Sequence, residues 1–237
     1  MFLNMKYLII GLGIYGSNLA RDLVDLGHDV IGADINPDAV NDMKNSVSAV
    51  YLIDSTEEKQ LAVLPLRNVD LVIVAIGENF GAGIKTVALL KKMGVKHIYA
   101  RAIDALHQSI LESFDIDRII TPEQRAAYDL SCELELGSAV MTLSVDPDNL
   151  VVNFGLPDYF LGMTYSDIAW HLSDNFDISL VAVCRPCERA NLIGVKRKEL
   201  QLIADREERA AAGDVITVFG SKKRIRALCK AQHSGGQ

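Results

Sequence analysis

The segment Gly11-Leu-Gly13-Ile-Tyr-Gly16 constrains this chain most, because of where it stands. The apolar run Lys6-Tyr-Leu-Ile-Ile10 enters it, and Leu19, Leu23 and Leu26 follow at helical spacing until Gly27. A strand that turns on three glycines into a helix can do so with little variation. The first glycine allows the tight turn, the second lets the backbone approach a pyrophosphate, and the third lets helix and strand pack closely. The free N–H groups at the helix start, with its partial positive charge, suit an anion there. Ile14 and Tyr15 complete the turn.

The expected second strand, Asp29–Ala33, leads to Asp34, 18 residues after Gly16, with Ile35 beyond it. A carboxylate at that strand tip accepts hydrogen bonds from ribose hydroxyls and repels a 2′-phosphate, which disfavours NADP. It also suits capping of the turn at Asn36-Pro37, where a helix opens with Pro at a position that needs no donor. Strands are expected at Ala49–Ile53, Asp70–Ile76, His97–Arg101 and Arg118–Ile120. Helices are expected at Phe80–Met93, Asp104–Phe114 and Thr121 to about Leu136, ending at Gly137. This alternation predicts a doubly wound, Rossmann-like parallel sheet over residues 5–136. Asp54, Ser55 and Thr56 close the third strand, Ile76 and Gly77 the fourth, and Arg101 the fifth. All therefore fall on the ligand-binding edge. Turn or cap roles for Asp54–Thr56 and a surface salt bridge for Arg101 are the alternatives.

The pattern changes after Gly137. Strands are expected at Ala139–Val145, Leu150–Phe154, Ile178–Cys184 and Asp214–Phe219, with helices at Thr164–Leu172 and Ser221–Lys230. Residues 137–231 thus read as a small α+β domain, and residues 232–237 as a disordered tail.

A formal net charge of −7 disfavours nucleic acid, whose phosphates call for a basic face. The clean apolar stretch Leu71–Ile76 is far short of the roughly 20 residues of a membrane helix. The start, Met1–Lys6, lacks a signal-peptide pattern, so a cytoplasmic location is expected. The four cysteines are Cys132, Cys184, Cys187 and Cys229. The pair Cys184–Cys187 has no second pair to complete a zinc site, and reads as two small residues at a strand end or as a redox pair. A dehydrogenase needs a proton-transfer group near the nicotinamide. His28 and His97 fall at strand starts, His107 in a helix taken as surface-facing, and His233 in the tail. That leaves His171, without an evident partner, so catalysis is not expected.

Taken together, Gly11 to Ala20, Gly27-His28 and Ala33-Asp34-Ile35-Asn36 resemble the opening of the RCK domain, the regulator of potassium conductance. It is the domain of the Trk and Ktr potassium-uptake regulatory subunits. Asp54-Ser-Thr56, Val72 to Gly77 and Asp117 to Glu123 follow in the order of that family's later signatures. The resemblance covers residues 5 to about 135 and, more weakly, 138–230. It implies a cytoplasmic gating subunit that binds an adenine nucleotide (ADP, ATP, NAD or NADH) above the glycine turn. Such subunits pair through their Rossmann domains and a helix, here about Glu123–Leu136, into tetramers or octameric rings on a separate potassium-conducting membrane protein. Different nucleotides favour different ring shapes. An NAD(H)-dependent oxidoreductase or a redox sensor using Cys184–Cys187 is the alternative.

Three positions qualify the resemblance. The family often carries Arg where Ile14 stands, and isoleucine makes no charge-assisted bond to a terminal phosphate. A diphosphate or dinucleotide such as ADP, NAD or NADH is therefore expected, or else ATP sensed through another group. Glu123 matches a glutamate that lies near the phosphates in Ktr-type members and helps hold a cation; its plainer role is an acid at a helix N-terminus. Arg185 and Asn191 lie roughly where some members contact cyclic di-AMP.

Overall fold

The computed structural model describes residues 4–136, 139–146, 148–190 and 196–234. Two compact units divide the chain, Met1–Gln124 and Arg125–Gln237.

In the first unit the strands are β1 (Lys6–Ile10), β2 (Asp29–Asp34), β3 (Ala49–Leu52), β4 (Leu71–Val74), β5 (Ile98–Arg101) and β6 (Arg118–Ile120). All pair in parallel, in the order β3-β2-β1-β4-β5-β6. The order reverses between β1 and β4, and the crevice outside the carboxyl ends of those strands is where such sheets take ligands. Near-continuous apolar sequence in β1 and β4 follows from burial on both faces. Leu8, Ile10, Val72 and Val74 pack into one core, while Ile9 and Ile73 join the other. The period of two sorts neighbouring residues to opposite faces.

The helices are α1 (Ile14–Asp25), α2 (Pro37–Met43), α3 (Glu58–Leu61), α4 (Phe80–Lys92) and α5 (Ala105–Glu112). Their starts are written in the sequence. Asn36 caps Asp38 N–H ahead of α2, Asn79 caps Ala82 N–H ahead of α4, and Asp104 caps His107 N–H ahead of α5. Strand β4 is shorter than expected: beyond Val74 the chain leaves the sheet after one more bond, from Ala75 N–H to the Ile10 carbonyl. Helix α6 (Pro122–Leu136) begins in the first unit and runs into the second.

The second unit holds β7 (Ala139–Ser144), β8 (Asn149–Gly155), β9 (Ser179–Ala190), β10 (Lys196–Leu202) and β11 (Val215–Ser221). They form an antiparallel sheet in the order β10-β9-β11-β8-β7. Helices α7 (Tyr165–Phe176) and α8 (Lys222–Ser234) cover one face. Val152, Phe154, Ile216 and Val218 meet Tyr165, Ile168 and Leu172 of α7 and Ile225 and Leu228 of α8 in one core. Thr164 caps α7 at Asp167 N–H, and Asp177 ends it in the left-handed region at φ 49°.

Sequence patterning missed β10 and the outer half of β9. The stretch Lys196-Arg-Lys-Glu199 lacks an apolar alternation, and Pro186 argues against a central strand. In the fold β10 is an edge strand, where charge is tolerated. Pro186 lies past Cys184, where the pairing of β9 with β11 ends, so its missing N–H costs no bond on that side. Helix α8 continues to Ser234, beyond the expected end at Lys230, and residues 235–237 lie outside the described residues.

Candidate functional site

The three glycines of the first turn have different physical reasons. Gly11 has φ 98°, and a Cβ there would stand 2.9 Å from the Ile76 backbone nitrogen. A Cβ on Gly16 would overlap the Gly11 carbonyl oxygen. These two are required by the fold itself. At Gly13 a Cβ would meet nothing within 4 Å, and its φ of −63° suits any residue. The middle glycine is therefore not explained by internal packing, and it borders open space at the start of α1. Gly13 caps α1 without a side-chain acceptor, the first turn holds no acid, and the first backbone bond runs from Ser17 N–H to the Gly13 carbonyl. The leading N–H groups thus lack intrahelical acceptors and face the same space.

Asp34 closes β2 beside this turn. One carboxylate oxygen accepts from Leu12 N–H and the other from Asn36 N–H at 2.7 Å. It fastens the glycine turn to the start of the next loop, a bond no sequence pattern announces. Each oxygen keeps a further lone pair for a hydroxyl donor. Ile14 and Ile35 are 88% and 65% exposed, apolar side chains without a core to join.

The third strand's end divides its roles. Asp54 accepts from Thr56 N–H at 2.9 Å and Thr56 Oγ1 at 2.7 Å, and these bonds hold its carboxyl below the ordinary value. Ser55 is buried, and its hydroxyl lies 2.8 Å from Thr86 Oγ1 of α4. Asp54 and Thr56 form a local turn while Ser55 pins it to the helix layer.

Across the strand-order reversal, Arg101 at the end of β5 lies flat on Gly77. A Cβ at Gly77 would stand 2.6 Å from Arg101 Cζ. The guanidinium is 5.7 Å from the centre of the Tyr15 ring and forms an ion pair with Glu123 in the first turn of α6. Arg101 Nε is buried and has no partner among the described residues. The structure thus brings Tyr15, Gly77, Arg101 and Glu123 together, with Ile76 packed beneath Gly11. Among the described residues no group of three or more His, Cys, Asp or Glu side chains could hold a metal. Glu123 is engaged by Arg101.

The described histidines have other partners. His107, expected on a surface, is 1% exposed: α5 turns it inward against Phe80, and burial pushes its imidazole below the ordinary value. His28 packs edge-on to Tyr7, and His97 pairs with Asp117 at 3.0 Å. His171 faces the Asn175 amide at 3.1 Å among Tyr159, Phe160 and Phe176, which offers no proton relay.

Cys184 and Cys187 both lie on β9, where the pairing with β10 is regular from residue 184 to 190. Three steps along a strand span about 10 Å and end on the opposite face. A disulfide needs Cα atoms within about 7 Å. The pair therefore neither closes on itself nor shares a metal. Arg185 is taken up internally: it bonds both oxygens of the buried Asp214 at 2.8 and 3.0 Å, pairs with Glu208 and reaches the Tyr165 hydroxyl. Burial, with the Asp214 carboxylate alongside, pushes the Tyr165 hydroxyl up to about 12. Asn191 lies outside the described residues.

Residues 7–122 match the TrkA-N domain family. The chain is 29% identical over 220 residues to the Ktr system potassium uptake protein C of Bacillus subtilis (strain 168), covering 93% of this chain and 97% of that protein. It is 28% identical over 222 residues to the Ktr system potassium uptake protein A of Vibrio alginolyticus, covering 93% and 94%. Among solved structures, the GsuK RCK domain superposes with a TM-score of 0.61 at 16% identity, covering 97% of this chain and 48% of that one. The first unit thus carries a TrkA-N domain, and over nearly its whole length the chain is similar to Ktr potassium uptake proteins. The GsuK likeness carries the fold alone, and this chain spans about half of that longer one. No described helix is long and apolar enough to cross a membrane.

Proposed function

We propose that this chain is the nucleotide-binding regulatory subunit of a potassium uptake system, acting on a separate membrane protein from its cytoplasmic face. The observation that carries the nucleotide reading is Gly13: open space where a side chain would fit, at the uncapped start of α1, beside the Asp34 carboxylate. A pyrophosphate suits the first feature, and a ribose the second. The likeness to two Ktr proteins over nearly their whole length supports the potassium role. A GsuK channel bound to NAD superposes at a TM-score of 0.60 and 16% identity, covering 96% of this chain and 39% of that one, which supports a nucleotide ligand.

The likeness to the Ktr potassium uptake proteins supports a regulatory rather than a catalytic role. Ile14 cannot bond a terminal phosphate, so a diphosphate or dinucleotide (ADP, NAD or NADH) is favoured over ATP. A cation at the phosphates would rely on Glu123 together with the ligand's own oxygens. Gating requires that the ligand bind one assembly shape more tightly than another, and an oligomer of paired Rossmann domains, up to a ring, supplies such shapes.

Parallel calorimetric titrations with ATP, ADP, NAD and NADH, with mass followed by light scattering, test the reading. Tight binding of a diphosphate or dinucleotide to a tetramer or larger is expected. A monomer that binds none of the four removes it.

A further inference from the structure

We propose that Glu123 is an internal stand-in for a ligand phosphate on Arg101, so that a nucleotide with a second phosphate displaces it and frees the first turn of α6. The inference rests on the nucleotide reading above and extends it to how occupancy leaves the site.

The two partners of this ion pair are held very differently. The Arg101 side chain is 17% exposed, fixed on Gly77 and beside the Tyr15 ring. The Glu123 side chain is 62% exposed. Arg101 is therefore the fixed member and Glu123 the replaceable one. Tyr15 belongs to the first turn of α1, two residues after Gly13. A ligand whose phosphates cross the glycine turn toward β4 meets Gly77 and, lying on it, the guanidinium.

Chemistry favours the exchange. A guanidinium fork binds carboxylate and phosphate by the same planar geometry, and a phosphate brings more charge and more acceptor oxygens. An ion pair with an exposed member is weak because water and salt screen it. The buried Nε of Arg101 has no acceptor among the described residues, which leaves one more donor for a ligand. Ile14 brings no cation of its own, which leaves Arg101 as the cation packed against Tyr15.

The consequence lies in where Glu123 is. It sits in the first turn of α6, the segment by which the chain passes from the first unit to the second. Holding Glu123 ties the start of that helix to the end of β5; releasing it removes the tie. A ligand with a single phosphate leaves the tie in place.

Calorimetry with AMP and with ADP in chelated buffer tests this, on the wild-type chain and on Arg101→Gln and Glu123→Gln. Amide exchange is followed over residues 122–126. AMP affinity is expected to be alike in all three. ADP affinity falls about tenfold in Arg101→Gln, for a lost charge-assisted bond. It rises about two- to fivefold in Glu123→Gln, where the competitor is gone. Exchange in the first turn of α6 speeds up with ADP in the wild type and is already fast in Glu123→Gln. Should Arg101→Gln fail to fold, the exposed Glu123→Gln carries the test. An unchanged or weaker ADP affinity in Glu123→Gln overturns the proposal, as does an AMP affinity that moves with that for ADP. If the wild type binds neither nucleotide, the nucleotide reading falls too.

Discussion

Replacing Gly13 with Ala separates the needs of the fold from those of a ligand. The new Cβ meets nothing within 4 Å, and the backbone φ of −63° suits alanine. Ala restricts the unfolded chain, a gain of about 0.4–1 kcal/mol, but is a poorer N-cap than Gly by a few tenths or more. The two nearly cancel, so the melting temperature should move by no more than about 2 °C. A pyrophosphate crossing this position is pushed away from the leading N–H groups of α1. Loss of one or two bonds to an ionised group costs about 1.5–3 kcal/mol, roughly 10- to 150-fold in affinity. The matched control is Gly16→Ala, whose Cβ collides with the Gly11 carbonyl. That contact is backbone against backbone, so destabilisation by about 3 kcal/mol or more is expected, in the range of severe overpacking. Thermal melts and ADP or NAD titrations on both variants give the comparison. Wild-type affinity in a well-folded Gly13→Ala refutes the reasoning, for then no ligand passes over that residue.

Further outcomes follow from named contacts. Asp34→Ala removes the proposed ribose acceptor together with the brace on Leu12 N–H, and should weaken any adenosine ligand by about 1–3 kcal/mol; equal affinities by calorimetry remove Asp34 from the site. In the second unit, burial alone would raise the Asp214 carboxyl, but the Arg185 guanidinium, the Tyr165 hydroxyl and Ala211 N–H together hold it below 3.8. A depressed carboxyl contributes stability above the unfolded value that is lost as pH falls through the folded one. Asp214→Asn should therefore cost about 2–3 kcal/mol at neutral pH and flatten acid unfolding below about pH 4, read by the single tryptophan, Trp170 of α7. Mild oxidation should leave no Cys184–Cys187 bond in the folded chain; a mass spectrum showing that bond would contradict the strand geometry.

The sequence by itself determined a good deal. The glycine turn, the helix caps at Asn36, Asn79 and Asp104, and the apolar runs of β1 and β4 are local signals, set by backbone sterics and by what burial on two faces demands. They were enough for the parallel order of elements, for the division into a Rossmann-like part and a smaller α+β part, and for placing Asp34 at the end of β2. Tertiary structure decided what depends on neighbours distant in the chain. β10 reads as a charged loop until β9 offers it an edge. His107 reads as exposed until α5 is rolled against Phe80. Cys184 and Cys187 read as a pair until the regular register of β9 puts them on opposite faces. Arg185, a candidate ligand contact by resemblance, is instead bound to Asp214, 29 residues on. Above all, the Arg101–Glu123 pair joins residues 22 apart, and nothing in their spacing announces it. Local pattern fixes which face a residue shows; only packing fixes what that face meets.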